Sequence, residues 1–372
     1  MTTGLPVLHV HSGNLYGGIE RVLVTLRRFE EASGLVHRYA LAFDGRLRNE
    51  LGDRVVGSLG HVRRRYPWTV TAGQRRLRET LARVGPTMVM VHGGWAQALL
   101  GPAVRAAEMP LVRWYHGAPA PDDRWELRAA AVRASLAICN SRFTANAAMP
   151  FAIGVPLEVI HPPVPLPPAA PEAARARLRA HAGAAGQTGV ILHVARMEEG
   201  KGHRVLVEAA ARLPASLDWQ VWFVGGPQRP QEIRYAHALR RAVRRAKLDA
   251  RILFFGERHD TSSLYAASDV YCQPNTLPDA FGLTFVEALY AGLPVVTTAL
   301  GGAREIINDT CGVVVPTGDA PALATALESL LTDANQRAAL SITGPLRAAE
   351  LCEPVRQARR LAELLREAAR RA

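Results

Sequence analysis

The sequence predicts an α/β protein built from two doubly wound domains that face each other across a cleft. Three observations carry this. Short β-rich runs alternate with helical Arg/Ala-rich stretches through most of the chain, a βαβ rhythm that implies mostly parallel sheets. A proline-rich stretch at 161–171, "HPPVPLPPAAP", interrupts the rhythm, which then restarts. At 372 residues and 48% hydrophobic content the chain exceeds the usual size of one domain and can bury large cores. The expected boundaries are 1–165 for the first domain, 166–352 for the second, and 353–372 for a terminal helix able to pack back on the first.

In the first half, "LPVLHV" reads as a strand, "HSGNLYGG" as a Gly-rich loop, and "IERVLVTLRRFEEA" as a helix with Ile19, Val22, Leu23 and Leu26 at helical spacing. "HRYALAF", "TMVMVH", "PLVRWYH" and "SLAICN" continue as strands. Such sheets bind ligands at the carboxyl ends of their strands, so the residues there are the candidates for function. Gly17 and Gly18 precede a helix, where bare backbone amides and the positive helix end suit a phosphate or sugar. A simple turn would use the same glycines. His116 ends "PLVRWYH", placed to hydrogen-bond a substrate hydroxyl or to move a proton, although a lone histidine is more often structural.

Proline lacks the amide donor that a helix interior or a central strand requires, so 161–171 reads as an extended linker. Beyond it "GVILHVA", "DWQVWFVGG", "RILFFG", "SDVYCQP", "LPVVTT" and "CGVVVP" are strands. Arg196 and Lys201 leave one loop at a strand end, a guanidinium fork and a point charge that suit a diphosphate; a solvated basic loop is the alternative. Lys201 is also one of very few lysines in the chain. Gly225 and Gly226 end the next strand without side chains to obstruct a ligand.

"PDAFGLTFVEALYAGLPVV" holds two carboxylates eight apart, Asp279 and Glu287. A helix starting near Phe281 would aim the amides of Phe281, Gly282 and Leu283 at a pyrophosphate. Glu287 then lies about 9 Å further along the axis at 1.5 Å per residue. That span fits a nucleotide-sugar, with sugar hydroxyls at Asp279 and the ribose diol at Glu287. An acidic N-cap followed by an ordinary helical glutamate would look alike. Gly301, Gly302 and Glu305 of "TALGGAREII" end the following strand.

Lysine plus arginine outnumber the acids 45 to 33, a formal charge of +12. An anionic partner is compatible with that balance, as is the Arg/Ala bias of genomic base composition. Nucleic acid is not expected, because no recognised module is present. A dinucleotide-dependent oxidoreductase lacks its GxGxxG signature here. Cys139, Cys272, Cys311 and Cys352 are far apart without CxxC spacing, which argues against zinc and against a disulfide framework. The N-terminus does not read as a secretory signal and no run approaches 18 apolar residues, so a cytoplasmic location is expected. The basic stretch "HVRRRYPWTVTAGQRRLRETLARV" allows a peripheral contact with an acidic membrane face through Arg63, Arg64 and Arg65. A solvated arginine-rich helix is the commoner explanation.

Together these pieces resemble the retaining glycosyltransferases of family 4, which have the GT-B architecture of two Rossmann-like domains. The resemblance runs from "YGGIERVL" to "GVVVPTGD" and is most specific over 190–318, in "RMEEGKG", "DAFGLTFVE" and "GGARE". Several positions depart from the family pattern: Asp279 replaces the usual glutamate, "NTLP" places an extra residue before it, Ala195 replaces a usual glycine, and "HPPV" stands where Asn-Gly is common near the linker. The resemblance implies transfer of a hexose-type sugar from a nucleoside-diphosphate-sugar to an acceptor hydroxyl with retention. It implies no cofactor and no metal, the nucleotide-sugar being a substrate. Arg196 and Lys201 would bind the diphosphate, Glu287 the ribose and Asp279 the sugar; His116 would sit beside the anomeric centre, and Gly17 and Gly18 would close over the phosphates. The acceptor stays open between lipid-linked, glycan and small-molecule hydroxyls, and a non-catalytic relative that binds nucleotide or sugar is the alternative.

Overall fold

The computed structural model describes residues 4–13 and 16–371. The chain divides into two compact units, one running to Pro165 and resuming at Cys352, the other spanning Leu166–Leu351. Each is built on one parallel sheet.

The first unit has seven strands: β1 (Leu5–His11), β2 (Leu35–Leu41), β3 (Val55–Ser58), β4 (Met88–Val91), β5 (Leu111–Tyr115), β6 (Leu136–Cys139) and β7 (Leu157–Val159). Their order is β3-β2-β1-β4-β5-β6-β7, and every pairing is parallel. Parallel sheets are covered on both faces, so their strands read as continuous apolar runs. Leu8, Val10, Ala40, Val89 and Val91 pack one face against Leu100 and Val104 of the helix Gly94–Ala106. The opposite face is unusual in holding buried histidines, His9 and His37 among them.

β3 and β7 are absent from the alternation read in the sequence. Both are short edge strands, of four and three residues, whose place depends on the neighbour they pair with rather than on their own pattern. Glu172–His181 is the first regular element after β7, and the intervening proline-rich stretch carries neither helix nor strand. The Val164 amide donates to the Cys352 carbonyl at 2.9 Å, joining the two segments of this unit. The helix Pro354–Arg371 buries Leu361, Leu364 and Leu365 on one stripe, and its Arg366 donates to the Ser33 carbonyl. The stripe and that hydrogen bond fix it to the helix Glu30–Ser33.

The second unit has six strands: β8 (Gly189–Val194), β9 (Trp219–Val224), β10 (Ile252–Gly256), β11 (Val270–Gln273), β12 (Val295–Thr298) and β13 (Gly312–Val315). The order β10-β9-β8-β11-β12-β13 repeats the doubly wound topology, again all parallel. Ile191, Val221, Phe223, Val270 and Cys272 of the sheet pack with Leu206, Leu239 and Leu323 of the helices. In each unit the order reverses at one place, between β1 and β4 and between β8 and β11, and a crevice outside the strand ends is expected there.

Candidate functional site

In the second unit the loops leaving β8 and β11 meet at the reversal point. The β8 loop carries Arg196, a short turn at Glu199–Lys201, and then Gly202 before the helix His203–Ala210. Gly202 has φ +78°, and a Cβ there would lie 1.8 Å from the Pro274 carbonyl oxygen, so a residue with a side chain would force the two loops apart. The Gly200 carbonyl accepts from the Thr276 amide at 2.9 Å, closing the same contact.

That closeness brings Lys201 Nζ within 2.5 Å of Asp279 Oδ1. Asp279 Oδ2 accepts from Asn275 Nδ2 at 3.0 Å and from Gln273 Nε2 at 3.2 Å. The Tyr271 hydroxyl donates to Gln273 Oε1 at 2.7 Å, and burial holds that phenol well above its ordinary pKa, so it stays a donor. Asp279 is thereby fixed by three partners. Arg196 is held by Glu198 at 2.5 Å and by the buried Glu232 at 3.2 Å. Arg196 and Lys201, which the sequence suggests for a diphosphate, each already face a carboxylate.

The helix begins at Leu283, two residues later than expected, with Gly282 as its N-cap at φ +110°. A Cβ at Gly282 would overlap the Phe285 ring, so glycine permits this entry. The expected trio of amides is therefore displaced: Phe281 precedes the helix with its side chain in the core, and Leu283 is the first helical residue. Glu287 lies one turn on and is 4% exposed; Oε2 accepts from the Tyr265 hydroxyl at 3.1 Å. Gly225 follows β9, and its amide donates to the Gly256 carbonyl at 2.7 Å, which commits it to the loop framework. The Gly302 amide supports the Asp279 loop by donating to the Asp279 carbonyl at 2.8 Å.

In the first unit, the Gly17 amide donates to Glu20 Oε2 at 2.8 Å, while Gly18 is exposed as the first residue of the helix Gly18–Arg28. Asn14 and Leu15 of the expected Gly-rich loop lie outside the described residues. Glu20 Oε1 meets His11 Nε2 at 2.7 Å. Burial pushes the Glu20 pKa up, but the His11 contacts and backbone amides outweigh it and hold the carboxyl below its usual value. His116 follows β5, half-buried, with Trp114 stacked 5.1 Å from its ring and Asn140 donating to its carbonyl. Burial, with the charges of His11 and Arg113 adding, drops the His116 pKa well below its ordinary value, so the ring is neutral at physiological pH.

Sequence reasoning missed Gln273, Asn275, Tyr265, Glu232, His11 and Glu20. Two signals were available: "CQPN" lies at a strand end, and Glu20 stands three residues after Gly17, the spacing of a capping box. Nothing in the sequence pointed to Glu232, which is 36 positions from Arg196.

Two doubly wound parallel sheets in one chain match the GT-B architecture of glycosyltransferases. The solved structure of Anabaena Alr3699/HepE in complex with UDP-glucose has this fold, with a TM-score of 0.86 at 22% identity over 98% of this chain and 100% of that one. Two family models match: Glycosyltransferase Family 4 over residues 16–166 and Glycosyl transferases group 1 over residues 188–333. The GDP-mannose-dependent alpha-(1-6)-phosphatidylinositol monomannoside mannosyltransferase of Mycolicibacterium smegmatis is 30% identical over 72% of this chain and 73% of its own length. The chain belongs to glycosyltransferase family 4. A D-inositol 3-phosphate glycosyltransferase of Xylanimonas cellulosilytica is 35% identical over 50% of this chain, and the match spans 44% of that relative, about half its length.

Proposed function

We propose that this protein transfers a hexose-type sugar from a nucleoside-diphosphate-sugar to an acceptor hydroxyl with retention of anomeric configuration. The observation that carries the proposal is the Lys201–Asp279 pair, held with Arg196 at the reversal point of the second sheet and close in sequence to the helix Leu283–Tyr290. Departure of a nucleoside diphosphate is the step with the largest charge to stabilise, and preorganised cations and backbone amides do that best where solvent is excluded.

In this reading the diphosphate draws Lys201 and Arg196 from their carboxylates. Glu287 accepts from the ribose diol, Asp279 from the transferred sugar, and His116 hydrogen-bonds an oxygen near the anomeric carbon. Phe281, Gly282, Leu283 and Gly225 form the wall and backbone around the donor, while Gly17 and Gly18 contact its phosphates. The family's chemistry supports a metal-independent reaction in which the leaving phosphate helps deprotonate the acceptor. Two relatives named for inositol-containing acceptors support a small-molecule or lipid-linked hydroxyl.

Among the described residues no helix is long and apolar enough to cross a membrane. Trp68 is 68% exposed beside the exposed Arg63, Arg64 and Arg65, a combination that supports peripheral contact with an anionic membrane face from a cytoplasmic location. A second reading, a non-catalytic relative, draws on the three partners that already occupy Asp279. Incubation with a panel of nucleotide-sugars and candidate acceptors, with the product anomer read by NMR, separates these. Retention is expected; an inverted product, or nucleotide binding without turnover, would contradict the proposal.

A further inference from the structure

Four histidines of the first unit form a continuous chain across its sheet. His37 Nδ1 meets His9 Nε2 at 2.8 Å, His9 Nδ1 meets His92 Nε2 at 2.8 Å, and His92 Nδ1 meets His116 Nε2 at 2.8 Å. The register explains how they meet. His37 pairs with Val7, two residues before His9; Val10 pairs with Val91, which puts His92 level with His11; Val91 pairs with Arg113, which puts His92 level with Trp114. Each step thus crosses one strand and advances two residues, so the side-chain period of two keeps all four rings on the same face. Tyr39 stacks on His9 at 4.9 Å and Trp114 on His116 at 5.1 Å, fixing the rings from the side.

All three contacts run Nδ1 to Nε2 in the same sense. A neutral imidazole has one donor and one acceptor nitrogen, so a chain of neutral rings in one sense must be protonated on the same nitrogen throughout. The rings are neutral: burial lowers the pKa of His9, His92 and His116 well below the ordinary value and that of His37 to about 3. Neighbouring charge reinforces this for all four. His11, whose Nε2 faces the Glu20 carboxylate and whose Nδ1 faces the His92 carbonyl, acts on His9, His92 and His116, while Arg113 acts on His92 and His116. Arg54, paired with Glu30, acts on His37.

Two arrangements remain, and the ends of the chain choose between them. Protonation on every Nε2 would leave an N–H at His37 Nε2, which is fully buried and has no hydrogen-bond partner. Protonation on every Nδ1 leaves only a bare lone pair there and moves the surplus N–H to His116 Nδ1, at the half-buried end of the chain. Orphaned buried N–H groups are rarer than under-satisfied acceptors. The geometry points to His37, His9 and His92 as positioning residues that lock His116 in the Nδ1–H form, so that His116 meets the substrate as a hydrogen-bond donor and not as a base. Resting on the proposed sugar transfer, the inference narrows what His116 does there: its N–H is offered to a hydroxyl or ring oxygen of the sugar. A metal bridge is a different use of such a cluster. Here the ring nitrogens face one another, and among the described residues no group of three His, Cys, Asp or Glu side chains could hold a metal.

The test is a two-bond proton–nitrogen correlation spectrum of the full chain labelled with nitrogen-15 histidine at neutral pH. The His116 signals are assigned by their loss in His116→Gln. The wild type is expected to show the Nδ1–H pattern at His116. His92→Asn, which keeps an N–H donor opposite His116 Nε2, should preserve that pattern; His92→Phe should shift His116 to the Nε2–H form that an unconstrained imidazole prefers. An Nε2–H pattern at His116 in the wild type, or a tautomer unmoved by His92→Phe, overturns the inference. If His92→Phe does not fold, the wild-type spectrum decides alone. Because the spectrum needs no turnover, an Nδ1–H pattern in a protein that transfers no sugar would leave the chain intact and remove only the proposed reaction.

Discussion

His37 and His203 are fully buried, one in each unit, and burial pushes both imidazoles down to about 3. For His203 the charge of Lys201 adds to the effect and a backbone hydrogen bond opposes it. In the unfolded chain the same rings take up protons near pH 6.5. The unfolded state therefore binds more protons below that pH, and stability is full above about 6.5 and falls as the pH drops towards 3. Each ring contributes a slope of up to about 1.4 kcal/mol per pH unit in that window. The melting temperature should accordingly fall steeply between pH 7 and pH 5, well before carboxylates titrate. A melting temperature unchanged across that interval would mean that these rings are not held neutral. The sequence contained every one of these histidines but gave no sign of the chain, because the meeting of His37, His9, His92 and His116 depends on the register of four strands that are distant in sequence.

At the scale of elements, periodicity and glycine placement located most of what matters. The strand ends that carry Arg196, Lys201 and Asp279 follow from apolar runs bounded by loop residues, and the interruption at 161–171 follows from proline chemistry. The edge strands β3 and β7 escaped for want of a pattern of their own. The helix starts later than the sequence predicts because the Asp279–Gly282 segment bends against the Gly301–Gly302 turn: the Gly302 amide takes the Asp279 carbonyl at 2.8 Å, which removes that carbonyl from any helical turn. Gly202 is the element-scale hinge of the candidate site, since it lets the β8 and β11 loops touch. Gly202→Ala adds a left-handed penalty of about 1 kcal/mol and a steric overlap of about 1–3 kcal/mol. It should lower stability by at least about 2 kcal/mol and pull Lys201 from Asp279; an unfolding midpoint equal to wild type would show that the loops do not depend on that contact.

For the whole molecule, the sequence shows two doubly wound sheets, and the structure adds that both reverse at their fourth strand, between β1 and β4 and between β8 and β11. The candidate donor residues gather at the second reversal. What the sequence left unseen is their neutralisation: Arg196 and Lys201 are matched by Glu198, Glu232 and Asp279, so free nucleotide must compete with three carboxylates for two cations. That competition makes Lys201 the residue whose removal separates a true phosphate site from a structural ion pair. Lost phosphate contact weakens binding, while loss of a merely structural pair leaves nucleotide affinity alone. The direct measurement is a calorimetric titration of UDP, GDP, ADP, CDP and dTDP into wild type and Lys201→Ala. One nucleotide should bind the wild type, and Lys201→Ala should weaken it at least about tenfold, a loss of about 1.4 kcal/mol. No binding by any of the five, or equal affinity in the variant, would contradict the assignment of this site to a nucleoside-diphosphate donor.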